Sequence, residues 1–348
     1  MGELAYYAST YEEARAQFRQ RATDRGGILT ALSVNQQQGL FIDTALWQGS
    51  SDTLLIHVSG VHGVEAYPGS AVQCAFLDQW NPNQLGDCSL LLIHCVNPFG
   101  MRYLRRWNAH NVDLNRNFLD QFAELPANPM YCKLNDFLNP KQERQLNGFT
   151  WQALRKLLRY RFSALQQAIA QGQYSNPEGI FYGGNQLSTE ASLLLEFFWQ
   201  HLSHYTRIRG IDFHTGLGKF GQSSFYLEPD FSFTQHQQAE SLLNTSVIYG
   251  EPSKRQSYRI QGSLIAGLKR SYQSQDFLML TQEIGTINPI QILRALREEN
   301  YCYYHKINSQ PQTAQRLKQV FCPDEPEWKE AAVQAGVQSL LRLIETVG

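Results

Sequence analysis

The 348-residue chain has no apolar run approaching the roughly 20 residues a membrane-spanning helix needs, so nothing in it reads as a membrane span. It has almost no net charge. Thirty Lys and Arg face 31 Asp and Glu, giving −1 at pH 7 and a pI of about 6.8. That balance offers no electrostatic case for nucleic acid or an anionic membrane as partner. The six cysteines (Cys74, Cys88, Cys95, Cys132, Cys302 and Cys322) form no C-x-x-C pair. The start, Met1-Gly2-Glu3-Leu4-Ala5-Tyr6-Tyr7, lacks the basic and apolar segments of a secretory signal. Scattered cysteines in such a chain read as reduced, inert thiols of a cytoplasmic protein. Internal repeats, low-complexity segments and Gly/Ser linkers are also missing, so residues 1–348 read as a single domain.

What is present is globular: 43% hydrophobic and 12% aromatic residues. Four short apolar runs, at 53–58, 89–96, 207–213 and 277–282, are too brief for core helices and read as buried strands. Helical patterns lie between and after them, at 70–79, 150–171, 189–205, 289–304 and 327–347. Ser188 is placed to cap the third of these. Strands alternating with helices predict an α/β fold with a mostly parallel central sheet. Residues 120–147 fit no element and read as a long loop over one edge.

Each strand-like run ends in residues with chemistry to offer. In open α/β sheets ligands bind beyond the carboxyl ends of the strands, so four loaded ends predict one shared cleft. The first carries Ser59-Gly60-Val61-His62-Gly63-Val64-Glu65. His62 and Glu65, three residues apart, can close on one zinc ion, or can simply cap the next helix. The small residues around His62 favour a sharp, exposed turn. Catalytic zinc usually takes three protein ligands and leaves one position open. A third ligand is available in His214, at the end of Ile211-Asp212-Phe213-His214-Thr215-Gly216, with His110 as the nearest rival.

Between them lies Arg105-Arg106-Trp107-Asn108-Ala109-His110-Asn111-Val112-Asp113-Leu114-Asn115-Arg116-Asn117-Phe118. It is either a solvated basic loop or a carboxylate clamp. Arg116, flanked by Asn115 and Asn117, offers a fork matched to a carboxylate. Arg106 suits the developing charge of a polarised carbonyl oxygen, and Asp113 suits the outer nitrogen of a metal-bound His. Glu283 closes the last apolar run. A carboxylate there needs either an ion-pair partner or a task, such as moving a proton from water to a leaving amine. Gly216-Leu217-Gly218-Lys219-Phe220-Gly221 matches a dinucleotide fingerprint. The adjoining Gln222-Ser223-Ser224-Phe225-Tyr226-Leu227, however, alternates like a strand and supplies no helix N-terminus for a pyrophosphate.

The four segments, in this order, resemble the zinc carboxypeptidase family of metallopeptidases, and more narrowly a bacterial branch of uncharacterised proteins, the DUF2817 group. The family pattern is H-x-x-E, then R-x-N-x-x-G-V-D-x-N-R-N-F, then a strand ending in His, then a Glu on a late strand. The resemblance implies a mixed, mostly parallel sheet of about eight strands flanked by helices. It implies one Zn2+ held by His62, Glu65 and His214, with Asp113 orienting His62. It gives the substrate's terminal carboxylate to Asn115 and Arg116, the scissile carbonyl to Arg106, and general base and acid work to Glu283. Asn111 departs from the family's Gly, which Asn tolerates if φ is positive. The family's mobile tyrosine would correspond to Tyr258, with Tyr272 second. The implied substrate is a small peptide or acylated amino acid with a free carboxylate. An N-acyl amino acid deacylase of the aspartoacylase and succinylglutamate desuccinylase kind fits the same motif, and a non-catalytic zinc-binding protein fits less well.

Overall fold

The computed structural model describes residues 2–249, 261–271 and 276–347. Its strands are β1 (Ile28–Asn35), β2 (Leu40–Trp47), β3 (Thr53–Ser59), β4 (Ser89–His94), β5 (Arg207–Gly216), β6 (Ser223–Leu227), β7 (Val247–Tyr249) and β8 (Asp276–Gly285). Among the described residues they form one eight-stranded sheet in the order β1-β2-β4-β3-β5-β8-β6-β7. The four apolar runs are the four central neighbours β4, β3, β5 and β8, all parallel. Every residue of β3 and β4 is buried, on both faces, which is why these strands read as unbroken apolar runs. β1–β2, β2–β4 and β6–β8 pair antiparallel, so the sheet is mixed.

The helices are α1 (Tyr11–Asp24), α2 (Ala66–Gln79), α3 (Pro98–Arg102), α4 (Pro129–Leu138), α5 (Phe149–Arg159), α6 (Phe162–Gln171), α7 (Thr189–Leu202), α8 (Phe233–Leu243), α9 (Leu264–Ser271), α10 (Pro289–His305), α11 (Gln310–Phe321) and α12 (Pro326–Val347). The fold is α/β, with helices covering the sheet. None of the described helices is long and apolar enough to cross a membrane. All six cysteines are free, and only Cys132 is exposed.

Three expectations change. β5 and β8 run past the predicted ends, so His214 and Glu283 lie within strands rather than on loops beyond them. Their pairing partners continue the ladder to Gly216 and Gly285. The single helix expected over 150–171 is two, because Tyr160 and Arg161 are extended. The break redirects the chain so that the inner faces of both helices border one cavity. The expected long loop at 120–147 contains α4, begun by the Asn128 side chain accepting from Tyr131 N–H with Pro129 in the first turn. Ser188 caps α7 as expected, accepting from Ala191 N–H at 3.2 Å.

Candidate metal centre

The turn after β3 is shaped by small residues and tied to the Arg105–Arg106 segment. Gly63 N–H donates to Arg106 O and Val64 N–H to Arg105 O, both at 3.1 Å. A Cβ on Gly63 would come within 2.1 Å of the Gly100 backbone, so only glycine fits this approach. α2 begins at Ala66, and Glu65 makes no side-chain capping bond to it. The capping alternative for Glu65 therefore fails. Its carboxylate turns inward instead.

His62, Glu65 and His214 are all buried, and one ligand atom from each lies within 4.8 Å of the others. His62 Nδ1 is 3.0 Å from Glu65 Oε1 and His214 Nδ1 is 3.0 Å from Glu65 Oε2. The outer nitrogens face carboxylates too. His62 Nε2 lies 3.1 Å from Asp113 Oδ1, and His214 Nε2 lies 2.8 Å from Asp212 Oδ2. Asp212 was not singled out from the sequence. The signal was there: residues i and i+2 of a strand share a face, so Asp212-Phe213-His214 puts the carboxylate beside the imidazole.

Burial by itself pushes the Glu65 carboxyl up, but His62 and Arg106 hold it well below the usual carboxylate range. Burial likewise works against Asp113, and Arg116 and His62 overcome it, leaving that carboxyl far down. His214 goes the other way. Burial disfavours its cation, yet Asp212 and Glu65 raise it well above an ordinary histidine. Two buried imidazoles bracketed by carboxylates form a site that favours positive charge, and a metal ion can replace the shared protons.

The donor set fits zinc. It offers two imidazole nitrogens and a carboxylate, the mixture that three-ligand catalytic sites use. His62 Nδ1 is buried and faces Glu65 Oε1 at 3.0 Å without a well-aligned hydrogen bond, so both atoms are free to turn to an ion between them. Asp113 and Asp212 would fix the ring orientations from behind.

Glu283 stands directly opposite His214 in the β5–β8 ladder. It accepts from Leu217 N–H at 3.2 Å. Burial chiefly, with Glu65 adding repulsion, pushes its carboxyl up to about 7, against the pull of nearby His214. Arg106 donates from Nη1 to Glu65 Oε1 at 2.6 Å, and its Nη2 is 3.0 Å from His62 Nε2. Asn115 accepts from Leu264 N–H at 3.0 Å. Arg116 gives Nη1 to Asp113 at 2.6 Å and both Nε and Nη2 to the Ala170 carbonyl. All four side chains border the same cavity as His62, Glu65 and His214.

Other expectations separate here. His110 is exposed and lies outside the trio. Tyr258 and Tyr272 fall outside the described residues. Asn111 has φ 59°, as its place in the motif requires. Its amide donates to Pro177 O and Gly179 O, which holds the turn. The glycines 216–221 lead straight into β6, which pairs with β8, so the next element is a strand and not a helix.

The cavity above this floor holds about 330 Å³. Its walls are Leu134, Phe137, Phe149, Leu157, Leu165 and Leu296, from α4, α5, α6 and α10.

The DUF2817 family, described as proteins of unknown function, matches residues 7–335. This chain belongs to that family. No curated protein matches the sequence. Among solved structures, this DUF2817 member is similar to an inferred metallopeptidase from Shewanella baltica, at 15% identity and TM-score 0.47, covering 89% of this chain and 92% of the other. It is also similar to a metallo-carboxypeptidase from Pseudomonas aeruginosa, at 13% identity and TM-score 0.45, covering 93% and 68%. A metallo-carboxypeptidase from Burkholderia cenocepacia gives 10% identity and TM-score 0.49, covering 97% and 69%.

Proposed function

We propose that this DUF2817 protein is a zinc-dependent hydrolase, and within that class a metallocarboxypeptidase acting as one catalytic domain. The observation that carries the reading is the meeting of His62, Glu65 and His214 with Glu283 directly across the ladder from His214. Zinc, when bound, supplies a water whose pKa falls towards roughly 7 and a polarising charge for a carbonyl oxygen. The rest belongs to side chains. His62, Glu65 and His214 would hold the ion, with Asp113 and Asp212 keeping both imidazoles in one tautomer. Glu283, with its carboxyl held near neutrality, takes the proton of the attacking water and gives it to the leaving nitrogen. Arg106 stands beside Glu65, where its guanidinium can face the carbonyl oxygen as charge develops.

Asn115 and Arg116 would receive the free carboxylate. Taking it bidentately requires Arg116 to release the Ala170 carbonyl. A deacylase of N-acyl amino acids is the second reading, favoured by the apolar walls of the cavity, since it too cuts an amide beside a free carboxylate.

The test is metal removal. Exhaustively chelated protein should release no amino acid from blocked peptides or N-acyl amino acids, and stoichiometric zinc should restore release. Undiminished turnover after chelation, with metal content verified as zero, would rule the reading out.

A further inference from the structure

The cavity is far more apolar than a carboxylate clamp and a metal site require. Its polar lining is concentrated at the strand ends, while the helices contribute mostly hydrocarbon. α5 and α6 supply Phe149, Ala153, Leu157, Leu165 and Ile169, and α10 supplies Ile292, Leu293 and Leu296. Phe149, Leu165 and Leu296 belong to a second apolar cluster, separate from the one around the sheet, and the other five pack against it half-buried. That cluster has not closed on itself. An apolar cleft left facing water keeps its hydrocarbon wet and forfeits dispersion contacts on its open side, so an apolar occupant is favoured there. The volume gives the size of the occupant. A void of about 150 Å³ accepts benzene, so 330 Å³ accommodates on the order of ten to twelve carbons.

The polar floor sets where that occupant must be attached. His62, His214, Glu283 and Arg106 border the same space as Leu157 and Leu296. A hydrocarbon lying against the helices therefore has its end at the reacting groups. Resting on the hydrolase reading above in its second, deacylase form, we infer that the substrate is an N-acylated amino acid whose acyl part is a hydrocarbon chain of about ten carbons. The helical walls bind the chain, and the strand ends hold the amide and the free carboxylate. Hydrolysis breaks the amide C–N bond. Water adds OH to the acyl carbon and a proton to the nitrogen, releasing a fatty acid and a free amino acid.

Two measurements test this on the zinc-loaded protein. In the first, acetyl, hexanoyl, decanoyl and myristoyl derivatives of the common amino acids are compared. The value of kcat/KM should rise about fourfold per added methylene until the cavity is full, then level off or fall. Equal turnover of acetyl and decanoyl compounds, or better release from blocked polar peptides, overturns the proposal. In the second, decanoate and acetate are titrated calorimetrically, which requires no catalysis. Decanoate should bind and acetate should not. Ala153→Trp, which fills the chamber, and Leu157→Glu, which puts a charge in its wall, should each weaken decanoate at least tenfold while zinc content stays unchanged. Decanoate binding that is absent, or unaltered in both folded variants, overturns the proposal. Chain-length-dependent binding without hydrolysis of any amide supports the cavity assignment and removes the hydrolase reading instead.

Discussion

Two apolar clusters in this molecule use the same residue types to different ends. The larger gathers Ile56, Leu91, Ile211 and Leu280 from the central strands, each fully buried and packed on both faces of the sheet. The smaller gathers Phe137, Phe149, Leu165 and Leu296 from helices, and these side chains border a 330 Å³ space. In the first cluster the four strand side chains are shut off from solvent, so their burial goes into stability. In the second, part of the same attraction is left unsatisfied and is available to a ligand. The floor with the candidate metal ligands sits where the two meet. It hangs from the rigid cluster and opens into the hollow one.

That division predicts large chemical effects from changes to the floor and small ones from changes to the wall. Glu283→Gln keeps the side chain's shape and the sheet register but removes the proposed base. Turnover should fall by about 10³-fold, within the span usual for a lost general base, while zinc content stays at one per chain. Steady-state kinetics beside metal analysis would check it. A variant within tenfold of the parent would show that the floor is not the reacting centre.

Asp212→Asn comes next. Asp212 lies outside the cavity lining, and its reach is through the 2.8 Å contact to His214 Nε2. Loss of that charge should lower zinc affinity by about 10- to 100-fold, read by competition with a chelator of known affinity. Asp113→Asn should behave similarly but fold less well, because Asp113 also accepts from Arg116 at 2.6 Å and from Asn115 N–H at 3.2 Å. Unchanged zinc affinity in Asp212→Asn would place that carboxylate in the scaffold alone.

The same division explains what could be read from the sequence. The central strands were legible because burial on both faces leaves no polar alternation to confuse them. β1, with its exposed and half-buried residues, gave no such run and was not foreseen. The trio and Glu283 were legible as candidates because each closes an apolar run. Each also had a plain structural explanation, and it was their order along the chain, matching the family pattern, that joined them into one site. Asp212 was passed over because it lies inside such a run, where its chemistry depends on a strand period that had been cut one residue short of His214. The wall was harder still. The apolar spacing over 150–171 was visible, but periodicity says only that a face is apolar. It cannot say whether that face meets a packed core or an open chamber, because that depends on how far α10 stands from α5 and α6. Arg116 shows the same limit in polar form. Its fork was recognisable, but its engagement with the Ala170 carbonyl is set by the fold of α6.

The smallest effects belong to the wall, and they separate its two sides. Leu165 on α6 is 8% exposed and faces the cavity, whereas Leu158 on α5 is 80% exposed. Truncating a leucine in a filled core costs about 2–5 kcal/mol, the larger values arising where a new void cannot collapse. Leu165→Ala only enlarges a space that already exists, and its side chain has fewer partners to lose. Its cost should lie near the bottom of that range, at about 2 kcal/mol, measured by denaturant titration with the slope unchanged. Leu280→Ala, in the solid cluster, should cost about twice as much. Leu158→Ala should stay within about 0.5 kcal/mol of the parent. The ordering matters more than the values. If Leu165→Ala proved as costly as Leu280→Ala, the side chain would be fully packed and the space beside it would be filled by the protein itself. The wall would then be ordinary core, with no room to receive an acyl chain.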